Sequence, residues 1–232
     1  MQPAPPTPPA SAGVASVIGM SVQGRAIEMV RFGRGDRPVM VLAAIHGNEP
    51  TSETVARRLV EHLRHGPAVT ATTAVVVIPV ANPDGLAAGT RTNANKVDLN
   101  RNFPASNWSA RPRGRGRNSY GGAASGTEPE TNALRYTIES LRPRLIISVH
   151  SMDQPCNNYD GPAEGVAKLM SRHNGYPAVP TIGYPTPGSM GSWAGVDRQI
   201  PMITLELPRR LAGEHAWAEN RDAILAAIAS VP

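Results

Sequence analysis

Short apolar runs alternate with amphipathic segments along this chain. The runs at residues 39–45 and 74–80 are almost continuously apolar, which is typical of strands that are buried on both faces. Further strands are predicted at residues 26–32, 145–149, 179–182 and 202–207. Apolar residues recur with the period of a helix at residues 51–65, 127–141, 163–174 and 214–230.

This alternation indicates one domain of the α/β class. Strands that alternate with helices form a largely parallel sheet with helices on both faces, an α/β/α arrangement of three layers. The domain is predicted to span residues 18–232, because no linker interrupts this range. Residues 1–17 are rich in proline and are predicted to be a flexible tail. Residues 85–127 show little periodicity, and we expect a long loop of the kind that often carries function.

Composition and charge narrow the class of protein further. Hydrophobic residues make up 41% of the 232 residues and aromatic residues only 4%, so the core must be mostly aliphatic. Much of the net charge of +5 comes from the run R-P-R-G-R-G-R at residues 111–117. We interpret this run as a solvated loop that could steer an anionic substrate. A nucleic-acid partner is not expected, because no aromatic residues or nucleic-acid-binding motif accompany the run.

The cellular location is predicted from signals that the sequence lacks. Cys156 is the single cysteine, so no intrachain disulfide can form. No apolar run reaches the roughly 18 residues of a transmembrane helix, and the N-terminus has no basic and apolar signal pattern. We therefore expect a cytoplasmic protein without a membrane span. A periplasmic location would follow if an export signal precedes this sequence.

Four residues suited to metal and proton chemistry lie at the ends of predicted strands. His46 follows the second strand, Glu49 comes three residues later, and His150 and Glu206 close two further strands. Strand ends of this kind form the ligand-binding edge of an open α/β sheet, so we expect the four side chains to lie together. Two histidines and a carboxylate can bind a catalytic zinc ion and leave one position open. A further carboxylate can then act as general base.

Motifs in the long loop and at the strand ends resemble a known family. The chain contains, in order, H-G-N-E, N-P-D-G, an arginine before V-D-L-N-R-N-F, S-V-H and T-L-E-L. This order is similar to that of the zinc carboxypeptidases of the carboxypeptidase A superfamily. The stretches N-A-N-K-V-D-L-N-R-N-F-P-A-S-N-W and P-T-P-G-S-M-G-S-W are most similar to its murein peptide amidase subgroup. The resemblance covers residues 18–230 and implies a twisted, mixed, largely parallel sheet of about eight strands.

The resemblance implies a metal site and a general base. His46, Glu49 and His150 would bind one Zn²⁺ ion. Glu206 would take a proton from the attacking water and pass it to the leaving amine. This assignment agrees with the chemistry of amide hydrolysis, which needs an activated water and a proton for the departing nitrogen.

The resemblance also implies roles for four residues of the long loop. Arg91 would stabilise the oxyanion that develops on the scissile carbonyl. Asn100 and Arg101 would bind the free carboxylate of the substrate, which a guanidinium can hold through two parallel hydrogen bonds. Asp98 would orient the first zinc histidine and fix its tautomer.

The substrate class that the resemblance implies is a small peptide with a free carboxylate, the murein tripeptide. The bond cleaved would be that between γ-D-glutamate and meso-diaminopimelate, in cell-wall recycling or remodelling. The digestive enzymes of the superfamily carry a substrate-binding tyrosine before the T-x-E strand, whereas Gly195 stands near that place here. This difference favours the amidase subgroup. Lys96 stands where many relatives have glycine.

Three other functions are open on the sequence alone. A general metallocarboxypeptidase that acts on L-peptides would use the same residues. A deacylase of small N-acyl amino acids shares the H-x-x-E zinc pattern, although D-L-N-R-N-F and T-L-E-L weigh against it. An inactive module could bind anionic peptides through Arg101 and the basic loop, but the apparently complete zinc ligand set and Glu206 argue for an enzyme.

Overall fold

The computed structural model describes residues 13–66, 70, 72–111 and 119–231, and one mixed sheet lies at its centre. Its eight strands are β1 (Val14–Met20), β2 (Ala26–Phe32), β3 (Val39–Ala43), β4 (Val75–Ile78), β5 (Leu145–Met152), β6 (Cys156–Asp160), β7 (Ala178–Val179) and β8 (Met202–Pro208). They lie in the order β1-β2-β4-β3-β5-β8-β6-β7. The central pairs β4–β3, β3–β5 and β5–β8 are parallel, whereas β8–β6 is antiparallel. The predicted mixed, largely parallel sheet is therefore confirmed.

Helices cover both faces of this sheet. They are α1 (Pro50–His65), α2 (Pro83–Ala88), α3 (Pro129–Leu141), α4 (Glu164–Asn174) and α5 (Gly213–Ala229). Alternate residues of β3 pack into two separate layers of the hydrophobic core. Val41 packs in one cluster with Leu59 of α1, whereas Leu42 packs in the other with Leu134 of α3. The α/β/α arrangement predicted from the alternation of elements is confirmed.

The prediction misses two strands, and each lacks the apolar signal of a buried strand. β1 is an edge strand whose residues are mostly exposed, so its sequence shows no core face. It begins at Val14, and residues 14–17 therefore belong to the sheet rather than to the predicted tail; residues 1–12 lie outside the described part of the chain. β6 reads C-N-N-Y-D and is polar, because one of its faces lines a cleft rather than the core.

The predicted long loop is partly ordered by short helices and by buried hydrogen bonds. It contains α2 and a single 3-10 turn at Leu99–Arg101. Asn93 donates to Glu128 at 2.7 Å, and the amide of Glu128 donates to Asn102 at 3.1 Å. These bonds tie the loop to the start of α3. Of the arginine-rich run at residues 111–117, only residue 111 is described, so its role is still a prediction.

Candidate active site

The four strand-end residues meet at one edge of the sheet, as predicted. His46 lies just beyond the end of β3, and Glu49 immediately precedes α1. His150 of β5 and Glu206 of β8 are direct neighbours across the parallel strand pair. All four side chains are buried and line one cleft, whose open space is about 560 Å³.

The turn that carries His46 is strained and tightly packed. Ala44 has a φ of 50°, a conformation that costs an L-residue about 1–2 kcal/mol. Its amide donates to the hydroxyl of Ser52 at 3.1 Å, and its carbonyl accepts from the amide of Asn82 at 3.0 Å. Gly47 is required because a Cβ there would overlap the backbone of Gly85. These contacts fix the direction in which His46 leaves the sheet.

The two histidines and Glu49 form a compact group. Nδ1 of His46 lies 2.9 Å from Oε1 of Glu49, and Nδ1 of His150 lies 3.2 Å from Oε2 of the same carboxylate. The two Nδ1 atoms are 3.2 Å apart. One ligand atom from each residue lies within 4.8 Å of the others. The amide of Ser151 also donates to Oε2 of Glu49 at 3.1 Å, which orients the carboxylate.

The outer ring nitrogens of both histidines have partners of their own. Nε2 of His46 lies 3.1 Å from Oδ1 of Asp98, and Nε2 of His150 lies 3.0 Å from Oγ of Ser148. When each histidine carries its proton on Nε2 and donates it to that oxygen, its Nδ1 atom keeps a free lone pair. The two lone pairs are then directed at Glu49 and at each other. Two facing lone pairs beside a carboxylate suit a cation between them, and two nitrogens with one carboxylate are typical donors for catalytic zinc. The described residues therefore fit the zinc ion that the sequence predicts.

Neighbouring charges set the protonation of the two carboxylates beside His46. Burial alone would raise the pKa of Glu49, but the charges of His46 and His150 and their hydrogen bonds hold it below its ordinary value. Burial likewise opposes ionisation of Asp98, yet His46, Arg91 and Arg101 hold its pKa well below the usual range. Both carboxylates are thus ionised at neutral pH, as metal binding and orientation of a ligand require.

Glu206 differs from these carboxylates. Burial raises its pKa above the ordinary value, and the charge of Glu49 adds to the increase. His150, Arg91 and Arg209 oppose the shift without cancelling it. A buried carboxylate with a raised pKa is a stronger base than an exposed one, which suits a group that must take a proton from water.

Arg91 lies beside the metal donors and is bound to the carboxylate that orients His46. Its Nε donates to Oδ2 of Asp98 at 2.8 Å, and its Nη1 lies 3.7 Å from Oε1 of Glu49. About a third of the side chain is exposed to the cleft. The guanidinium is therefore anchored at one end, and its remaining N–H groups can reach a bound molecule.

Arg101 is a buried cation that makes no ion pair with the described residues. Its side chain is 4% exposed. Its one hydrogen bond in this part of the chain is from Nη1 to the carbonyl oxygen of Asn100 at 2.6 Å. Burial lowers its pKa, the charge of Asp98 opposes this shift without cancelling it, and the charge of Arg91 adds to the decrease. A buried guanidinium that lines the cleft without a carboxylate is a site for an anion.

Asn100 binds the backbone of Met190 and also lines the cleft. Its side-chain oxygen accepts a hydrogen bond from the amide of Met190 at 2.9 Å. Its side-chain nitrogen Nδ2 has no hydrogen-bond acceptor among the described residues, and Asn100 lines the same cleft as Arg101. Seven of the eight predicted residues thus line one cleft. The eighth, Asp98, contacts two of them, His46 and Arg91.

The structure also brings a tyrosine to this cleft. Tyr184 lines it, and electrostatic interactions link it to Arg91 and Arg101. Gly195, the position near the expected tyrosine, instead packs against Asp160, where a Cβ would overlap. The cleft therefore contains a tyrosine, and the glycine at position 195 does not by itself favour the amidase subgroup. Ser148 is not among the predicted residues, although its position two residues before His150 on the same strand face could have indicated it.

The unusual Lys96 has a conformational explanation. Its φ is 61°, in the left-handed region that favours glycine. Its amide donates to the carbonyl oxygen of Asn93 at 3.0 Å, which closes a tight turn before Asp98. A glycine would suit this turn better than lysine does.

Comparisons with known proteins agree with this geometry. A family model described as zinc carboxypeptidase matches residues 13–174. Murein peptide amidase A of Vibrio campbellii is 35% identical over 208 residues, which cover 83% of this chain and 78% of the relative. Murein peptide amidase A of Escherichia coli is 34% identical over 183 residues, which cover 73% and 70% of the two chains.

Solved structures show the same architecture. The crystal structure of a murein-tripeptide amidase from Escherichia coli superposes with a TM-score of 0.74 at 28% identity, covering 97% of this chain and 98% of the other. Carboxypeptidase A from Helicoverpa armigera superposes with a TM-score of 0.77 at 20% identity, covering 95% of this chain and 69% of the other, which is a likeness of fold alone. Among the described residues, no helix is long and apolar enough to cross a membrane.

Proposed function

Because this chain belongs to the zinc carboxypeptidase family, we propose that it is a zinc-dependent amidase that cleaves the γ-D-glutamyl–meso-diaminopimelate bond of murein peptides. One observation carries this proposal: metal donors, a buried base and an unpaired arginine line a single cleft in a chain that matches murein peptide amidases over most of its length. The donor set supports amide hydrolysis, and the names of the relatives support the substrate class.

We assign the metal to the compact group at the sheet edge. His46 and His150 would hold zinc through their Nδ1 atoms, and Glu49 through its carboxylate. When bound, zinc lowers the pKa of water to about 7 and polarises the scissile carbonyl. Asp98 and Ser148 hold the outer nitrogens, so the two rings keep the tautomer that a metal ligand needs.

Glu206 would move the proton during hydrolysis. Its carboxylate lies across the strand pair from His150 and takes a proton from the attacking water. It then delivers that proton to the nitrogen of the departing diaminopimelate, so that the C–N bond breaks without expelling an amide anion. The raised pKa of Glu206 helps it accept the proton and also hold it until the nitrogen is ready.

The two cleft arginines would bind the substrate at different points. Arg101 would pair with the free carboxylate of the residue to be released, and Asn100 would add a hydrogen bond to the same group. Arg91 would donate to the scissile carbonyl oxygen as negative charge develops on it, while Asp98 holds the guanidinium in place. A single donor of this kind contributes about 3 kcal/mol to transition-state stabilisation.

A comparison of two linkages tests the proposal. Zinc-loaded protein is incubated with L-Ala-γ-D-Glu-meso-diaminopimelate and, separately, with the peptide in which α-L-Glu replaces γ-D-Glu, and kcat/KM is measured for both. We expect preference for the γ-linked substrate. Preference for the α-linked peptide would instead identify a general metallocarboxypeptidase. The cytoplasmic location expected from the sequence is part of the proposal, and fractionation of producing cells would test it.

A further inference from the structure

Arg209 is a further cation of the cleft, and the proposed mechanism does not use it. It follows directly after Pro208, the last residue of β8. Its amide donates to the carbonyl oxygen of Met152 at 3.0 Å, which continues the pairing of β8 with β5. Both Arg209 and Met152 line the cleft. Burial raises the pKa of Glu206 and the charge of Arg209 opposes this rise, so the guanidinium acts on the proposed base.

The loop that carries Asn100 lies toward the beginning of β8. The side-chain oxygen of Asn100 accepts a hydrogen bond from the amide of Met190 at 2.9 Å. The next residue along the chain, Gly191, packs against the carboxylate of Asp160. Asp160 in turn pairs with Met202, the first residue of β8. A continuous set of contacts therefore connects this loop to the first residue of that strand.

Arg209 lies at the opposite end of the cleft from Arg101. Arg101 directly follows Asn100, so the proposed site for the carboxylate of the released residue is at the end where β8 begins. Arg209 comes three residues after Glu206, on the order of 10 Å of extended chain, at the end where β8 finishes. Glu206 pairs with the metal donor His150 between these two ends. The two cations thus flank the proposed site of bond cleavage.

The guanidinium of Arg209 can bind a ligand in its present position. Its Nε donates to Oδ1 of Asp153 at 3.0 Å, and its Nη groups make no hydrogen bond to the described residues. The side chains of Arg209 and Asp153 are 50% and 82% exposed, and an ion pair this open to solvent contributes little to stability. The fold therefore does not require an arginine here, whereas two Nη groups can hold a carboxylate through parallel hydrogen bonds.

We propose that Arg209 is a specificity-determining residue that binds a carboxylate on the acyl part of the substrate, the part that precedes the bond to be cleaved. This inference rests on the proposed function, since it takes Arg101 to hold the residue that is released. With the scissile carbonyl at the metal donors, the acyl part continues past Glu206 toward Arg209. A γ-linked D-glutamate carries its free α-carboxylate on this part, at the end of a short carbon chain.

Binding of two matched tripeptides tests this assignment without depending on catalysis. One is L-Ala-γ-D-Glu-meso-diaminopimelate, and the other differs only in a carboxamide that replaces the α-carboxylate of D-glutamate. Each is titrated calorimetrically into zinc-loaded Glu206→Gln, which also lacks the carboxylate whose pKa Arg209 influences. We expect the acid to bind about 10-fold tighter than the amide, the lower end of the range for hydrogen bonds to charged groups, because Arg209 is half exposed.

Substitutions at two adjacent arginines locate the effect. In the same Glu206→Gln background, Arg209→Met should bring the acid-to-amide ratio to about 1 and keep the affinity for the amide. Arg209→Lys should retain part of the preference, because lysine keeps the charge but not the paired donors. Arg210→Met is the matched control and should leave the ratio unchanged, since Arg210 is an exposed neighbour of equal charge that does not line the cleft.

The outcomes separate this inference from the proposed function. Equal binding of acid and amide, or no binding of either, would overturn the role of Arg209, even if the wild-type chain cleaves the tripeptide. A preference that falls as much in Arg210→Met would also overturn it, as would a purely structural role, which would weaken both tripeptides equally in Arg209→Met. A preference lost only in Arg209→Met, in a chain whose wild type leaves the tripeptide intact, would keep the role of Arg209 and reject the proposed function.

Discussion

Replacement of Arg101 by methionine should raise the stability of the folded protein and lower its catalytic activity. The guanidinium is 4% exposed and has no ion pair among the described residues, so the charges of Asp98 and Glu206 offset the cost of burying it only in part. Methionine fills a similar volume without that charge. We expect the free energy of unfolding to rise by about 1–3 kcal/mol, which raises the Tm by about 2–4 °C for each kcal/mol in a protein of this size.

The same substitution should strongly reduce catalysis. Arg101 is proposed to make two charge-assisted hydrogen bonds to the substrate carboxylate, each worth about 1.5–3 kcal/mol. Their loss corresponds to a decrease in kcat/KM of about 10²- to 10⁴-fold. Urea denaturation of the zinc-loaded protein and steady-state kinetics on the murein tripeptide measure the two effects.

Arg91→Met is the matched control, because Arg91 is paired. Its loss leaves the fully buried Asp98 without the 2.8 Å bond from Nε. We therefore expect this variant to be less stable than the wild type by about 1–3 kcal/mol. If Arg101→Met were destabilised as much as Arg91→Met, Arg101 would be a structural residue, and the reasoning from its unpaired charge would be refuted.

Three further substitutions have defined outcomes. Lys96→Gly should stabilise the protein by about 0.5–1 kcal/mol, because relief of the left-handed conformation exceeds the entropy cost of glycine; urea denaturation should show no such gain for Lys96→Ala. Asp84→Asn should destabilise by about 1–3 kcal/mol at pH 7. Burial opposes ionisation of Asp84, but hydrogen bonds from Ser21 and its neighbours hold its pKa below the ordinary value. Its stabilisation is therefore present above the pKa of the unfolded chain and lost as pH falls through the folded pKa. Denaturation at pH 7 and pH 3 should show the difference between Asp84→Asn and wild type shrinking; a constant difference would contradict this. Ser148→Ala should weaken zinc binding about 10-fold through loss of the contact to His150. Competition with a chromophoric chelator measures the zinc affinity, and an unchanged affinity would contradict this prediction.

The sequence predicts the central elements well because burial on both faces leaves a continuous apolar run. The predicted strands at residues 39–45 and 74–80 contain β3 and β4, in which every residue is buried, and the predicted helix at 127–141 contains α3. β6 could not be found in this way, because it places Asn158 and Asp160 on a cleft rather than in the core. The polar residues that prevent prediction of this strand from apolar periodicity are also the ones that line the cleft.

The identities of the site residues could be predicted, but their pairing could not. Position at strand ends and the family motifs indicate His46, Glu206 and the two arginines. That Arg91 is bound to Asp98, while Arg101 makes no ion pair with the described residues, depends on how the long loop folds. Arg91 and Asp98 are 7 residues apart within that loop, and Asp98 is placed in turn by its contact with His46, 52 residues away in sequence.

Mass spectrometry of the products formed from L-Ala-γ-D-Glu-meso-diaminopimelate tests the central claim most directly. Zinc-loaded wild-type protein, the same protein treated with a chelator, and Glu206→Gln are incubated with the tripeptide in parallel. Free meso-diaminopimelate and L-Ala-D-Glu should appear with the zinc-loaded wild type alone. An intact tripeptide in all three reactions, with one zinc bound per wild-type chain, would contradict the proposed amidase activity. Equal release by Glu206→Gln would contradict the role of Glu206 as the base.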